Sequence, residues 1–232
     1  MQKAFKKLRH LFATTLLYWL ALMLFGTALM TFRFTTLLRN RLALTGLLAF
    51  ILSALFFRRH RFAVVYIFGH ELTHWATAKL FLKKTGRIRI QRLSGATEIY
   101  GTNVVITLAP YIIPFYLMVV IGIYGLSQLF VYPSPLWARY LVAVLIGMGY
   151  AYHIMLNAFA IKQAQSDLQI YGPIYSFGFI LAGNALFLLV ALLVTTAQWR
   201  EAYHAFGELI ALQADIVQRV LQAIVSAFRD RM

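Results

Sequence analysis

Residues 70–74 read His70-Glu71-Leu72-Thr73-His74. On a helix, positions four apart lie one turn above each other on the same face, so the two imidazoles converge on one point. That is half of a zinc site, and Glu71 beside it is a candidate general base. A hydrolytic zinc keeps three protein ligands and one open position for water, so a third ligand must come from elsewhere in the chain. There is no cysteine, which excludes thiolate ligands and disulfides. The seven carboxylates are Glu71, Glu98, Asp167, Glu201, Glu208, Asp215 and Asp230. Four fall in the C-terminal stretch and Glu71 is reserved as base, which leaves Glu98 and Asp167. Of the other histidines, His10 and His60 sit in basic flanks and His204 in the tail. Only His153 lies within an apolar run.

The setting of the motif is a membrane. Of 232 residues, 61% are hydrophobic and 12% charged, with a mean hydropathy of +0.72, against about 25% charged in soluble domains. Apolar runs cover 11–30, 42–57, 62–82, 104–130, 136–159 and 174–197. The expectation is an all-α polytopic membrane protein of about six transmembrane helices, integral to a cell membrane, since only helices and closed barrels satisfy their own backbone in lipid. The run 42–57 is short enough either to cross or to be re-entrant. The net charge of +15 is concentrated at the ends of these runs, where it anchors spans to headgroups. Nucleic acid is thereby excluded as a partner.

Two segments break the pattern. Residues 86–101 alternate polar and apolar side chains around Ser94-Gly95, which predicts a β-hairpin turning at that pair. From Trp199 onward, apolar residues recur at helical spacing, which predicts an amphipathic helix interrupted or bent near Gly207 and lying on the membrane or against a partner. The chain therefore divides into a membrane domain, 1–198, and a C-terminal helix, 199–232. Pro110 and Pro114 stand inside the run 104–130; they should interrupt its helix and free backbone carbonyls.

Ionisable groups within a membrane helix are expensive and usually functional. Besides a metallohydrolase, the cluster admits a non-enzymatic reading: a transporter passing ions, or a scaffold in which His70, Glu71 and His74 hold helices together. The order of features resembles the site-2 protease family of intramembrane zinc metalloproteases: His-Glu-x-x-His in a membrane helix, a hairpin, a proline-bearing span, then distal Asn157 and Asp167. The resemblance covers about residues 62–175. It departs in the second motif, where no proline separates Asn157 from Asp167 and Leu168 stands where the family has glycine. No PDZ-type module is present in these residues. The resemblance implies Zn2+ held by His70, His74 and Asp167, with Glu71 as base. It implies a membrane-protein or peptide substrate within the bilayer, presented by the hairpin as an extended strand.

Helix depth leaves the third ligand open between Asp167 and His153. His74 and His153 each lie about 13 Å from a flanking lysine, Lys83 or Lys162, so His153 can share the depth of the motif. Asp167 would lie about 21 Å beyond His153 on one continuous helix. It reaches the metal only if the chain breaks after about Phe159 and starts a new helix near Ser166. His153 or Asn157 could also donate to an oxyanion.

Overall fold

The computed structural model describes residues 2–31, 36–59, 62–91, 94–162 and 166–229; His60, Asp230 and two residues of the expected hairpin, 92–93, lie outside the described residues. The helices are α1 (Gln2–Thr31), α2 (Leu37–Arg59), α3 (Ala63–Leu80), α4 (Val104–Ile112), α5 (Phe115–Ser127), α6 (Leu136–Lys162), α7 (Ser166–Ile170), α8 (Pro173–Thr196) and α9 (Trp199–Arg229). The strands β1 (Lys84–Ile90) and β2 (Gly95–Tyr100) form one antiparallel hairpin between α3 and α4.

Four helices, α1, α2, α6 and α8, are long and apolar enough to cross a membrane. The α4–α5 pair, bent by 77°, makes a fifth if counted as one broken span. The run 42–57 gains Leu37 to Arg41 as a helical lead-in, so α2 has the length to cross. The helix carrying the histidine motif, α3, is not among them. Outward-facing leucines on α2, including Leu44, Leu48, Leu52 and Leu55, are exposed. Such continuous apolar surface is what a lipid-facing helix presents and a water-facing one avoids.

Pairwise contacts give the helix directions. Phe50 packs on Tyr150 and Phe57 on Tyr152, so α2 and α6 run the same way. The next helix keeps that direction: Tyr152 donates to the Phe62 carbonyl, Tyr66 to Asn157, and His74 faces Asp167. No reversal separates α2 from α3. Likewise α1 and α8 run together, from His10 beside Tyr171 to Ala28 beside Leu189 and Leu193.

The α3 C-terminus explains where the hairpin lies. The Lys83 N–H bonds the Ala78 carbonyl and the Leu82 N–H that of Lys79, both at 2.9 Å, with Leu82 left-handed at φ 56°. This is a Schellman turn, and it folds the chain back along α3. Ile90 pairs with Gly95, and the Gln91 N–H bonds the Ser94 carbonyl. The reversal therefore precedes Ser94-Gly95 rather than falling on it. Gly95 is needed elsewhere: a Cβ there would sit 2.6 Å from both Glu71 Cγ and Ile67 Cγ2. The hairpin thus presses directly on α3.

The C-terminal helix is continuous through Gly207, not interrupted there, since one glycine costs a helix only about 1 kcal/mol. Its first half returns along α1. Gln198 donates to the Thr31 carbonyl, Leu209 meets Gly26, and Trp19 Nε1 donates to Gln213 Oε1 at 2.6 Å.

Helices α2 and α6 approach closely at Gly46 and Gly147. A Cβ on Gly147 would collide with the Gly46 carbonyl oxygen and lie 2.9 Å from Phe50 N. Gly147→Ala should therefore destabilise the protein by about 1–3 kcal/mol, read as a lower Tm in detergent. Gly125→Ala, where nothing lies within 4 Å, should leave Tm unchanged or slightly raised.

Candidate metal centre

The site begins with one helical turn of α3. The rings of His70 and His74 stand 5.0 Å apart, centroid to centroid. What aims them is the broken span opposite. Ile113 is extended, at φ −86° and ψ 108°, and α5 starts only after Pro114. Proline disfavours a helical residue before it and has no N–H, so the helix breaks there. Within α4, Pro110 has no N–H for the Ile106 carbonyl one turn back. His74 Nδ1 lies 2.9 Å from that carbonyl oxygen. A carbonyl only accepts, so Nδ1 is the donor and, in the neutral ring, Nε2 carries the lone pair. Nε2 stands 3.8 Å from Asp167 Oδ2.

Asp167 arrives from the far end of the domain. Helix α6 runs to Lys162, three residues past the expected break, and α7 starts at Ser166 with Asp167 in its first turn. The Tyr111 hydroxyl donates to Asp167 Oδ2 at 3.3 Å. Donor atoms of His70, His74 and Asp167 all lie within 4.8 Å of one another, so the group could hold a metal ion. Donors around a tetrahedral zinc are roughly 3.3 Å apart, so a small contraction closes the site. His70 adds a separate indication, for its Nδ1 is buried with no hydrogen-bond partner among the described residues. A nitrogen left bare in an apolar interior costs about 1–3 kcal/mol, which a ligand or water would offset.

His153 and Asn157 are drawn into a different structure. The helix break falls just after the Tyr111 carbonyl. Asn157 Nδ2 donates to it at 2.8 Å and Asn184 Nδ2 at 2.9 Å. The second hydrogen of Asn157 Nδ2 points to His153 Nε2, 3.0 Å away. His153 Nε2 is thus an acceptor, engaged away from the His70–His74–Asp167 group, and both amide hydrogens of Asn157 are taken. Glu98, the other open carboxylate, pairs with Arg89 at 2.7 Å on the hairpin.

Glu71 is buried at 7% exposure, under the hairpin. Thr97 Oγ1 donates to its Oε2 at 2.7 Å and lies 3.1 Å from its backbone carbonyl. A cavity of about 20 Å³ borders His70 on the other side, between Tyr66, Tyr116 and His153. That is room for about one water. Tyr116, Gly149 and Tyr152 also wall an apolar groove of about 320 Å³ between α2, α3, α5 and α6. Sequence reasoning located the motif, Asp167 and the freed carbonyls. It missed Tyr111, Thr97 and Asn184, which no spacing or motif marks. No protein family, curated protein or solved structure matches the chain.

Purified protein should carry about one divalent ion per chain. His70→Ala, His74→Ala and Asp167→Ala should each empty the site, and His153→Ala should retain it, as read by elemental analysis of protein desalted in detergent.

Proposed function

We propose that the protein is an intramembrane zinc metalloprotease of the site-2 protease type, cleaving peptide bonds in or near transmembrane segments. The observation that carries this reading is the convergence of Asp167, from α7, with the His70–His74 pair on α3; these three are the ligands that the family resemblance implies. Two imidazoles and a carboxylate suit zinc and leave a position open. The bare Nδ1 of His70 supports metal binding over a purely structural network, which would have satisfied it.

When bound, zinc supplies the Lewis acidity that makes a water nucleophilic near neutral pH and polarises the scissile carbonyl. His74 contributes Nε2, held toward the site by the bond from Nδ1 to Ile106. Asp167 contributes a carboxylate oriented by Tyr111. Glu71 takes the proton of the attacking water and returns it to the leaving amine. The Thr97 hydroxyl fixes the Glu71 carboxylate, and the hairpin keeps bulk water from it. Helical substrates have their carbonyls hydrogen-bonded, so the segment to be cut must first unwind. The hairpin edge then takes it up by strand addition, and the apolar groove behind Tyr116 offers apolar side chains a place out of water.

Glu71→Gln should keep the metal and lower cleavage of an apolar transmembrane reporter peptide in detergent by roughly 10²–10⁴-fold. Metal-free wild-type protein, or a Glu71→Gln variant as active as wild type, would overturn the protease reading.

A further inference from the structure

Pro110 stands in the interior of α4, where a proline normally weakens a helix. It is buried against the site and lines the His70 cavity. Its missing N–H leaves the Ile106 carbonyl for His74 Nδ1 at 2.9 Å. Any other residue at 110 would bring an N–H to that carbonyl and compete with the imidazole. We infer that Pro110 is a positioning residue of the metal centre: it selects the Nδ1–H tautomer of His74 and turns Nε2 toward Asp167. The inference rests on the metal site proposed above, and it acts through a backbone carbonyl rather than a side chain.

Partners that orient a ligating histidine typically change metal affinity 10–100-fold when lost. Pro110→Ala and Pro110→Val both restore an N–H; valine also keeps most of the ring's volume, which separates the hydrogen bond from a packing void. Both variants improve helix propensity, so a folding defect is not the expected outcome. The test uses full-length protein in detergent. Zinc affinity is measured by chelator competition, and the His74 tautomer in the metal-free state by imidazole 15N shifts under mildly alkaline conditions. The expected result is a 10–100-fold weaker zinc affinity in both variants, an unchanged or raised metal-free Tm, and a shift of His74 from Nδ1–H to a tautomer mixture. Unchanged affinity and an unchanged tautomer in both variants would overturn the inference. So would an Nε2–H tautomer in the wild type, a measurement that needs no variant to fold. A wild type that binds no zinc would sink the metal reading instead, while the tautomer comparison would still decide whether Pro110 controls His74.

Discussion

A backbone carbonyl without a donor is the constraint on which the rest of this structure depends. In water such a group is solvated at once. Inside a membrane helix bundle it has only protein to turn to, and each unmet group costs several kcal/mol. The span after the hairpin contains such a carbonyl at Ile106, opposite Pro110, and its break falls beside a second carbonyl, at Tyr111. Each has been met by a side chain from another helix: His74 from α3 at the first, Asn157 from α6 and Asn184 from α8 at the second. These three bonds therefore join four helices, and the first sets the orientation of the histidine that faces Asp167. Fold and candidate site share one set of polar contacts.

That arrangement also explains why two polar groups so close in space play different parts. His153 lies deep in the bundle, and by depth alone it rivals Asp167. Its Nε2 is engaged by Asn157, and Asn157 is held in turn by the Tyr111 carbonyl and by the Tyr66 hydroxyl. Each member of this knot is fixed by its neighbour, so the amide orientation follows from the carbonyl it must serve. Asp167 escapes the knot because α6 stops before it. Asp167 lies instead in the first turn of the short α7, where the Tyr111 hydroxyl donates to it. Tyr111 serves both assemblies, through its carbonyl in one and its hydroxyl in the other.

Features written in local sequence were legible. The helical pair of histidines, the alternating hairpin residues, the helix-breaking prolines and the acidic start of α7 each depend on a few neighbouring residues. Features set by direction were not. Six apolar runs suggest six alternating crossings, but α2 and α3 advance the same way past α6. The hairpin's alternation fitted a strand pair but could not reveal that the pair folds back along α3. That depends on a Schellman turn whose left-handed position is Leu82 rather than glycine, so no residue type advertised it. The role of Thr97 is hidden for the same reason, since it follows only from where β2 comes to rest.

The hairpin and the bundle thereby divide the candidate chemistry between them. The groups able to hold a metal come from helices packed in an apolar interior, and their aim is set by carbonyls in that interior. The candidate base is on the same helix as two of them, but its side chain is governed from outside the bundle, by Gly95 lying flat against its stem and Thr97 bonding its tip. A side chain at 95 would separate the two layers without touching any ligand. The metal group thus needs nothing from the hairpin in order to form, whereas the setting of Glu71 needs the hairpin in place. Movement of β2 would expose and release Glu71 while leaving the bonds that hold His74 and Asp167 intact. The candidate ligands and the candidate base are therefore held by separate contacts, His74 and Asp167 by α4 and Glu71 by β2.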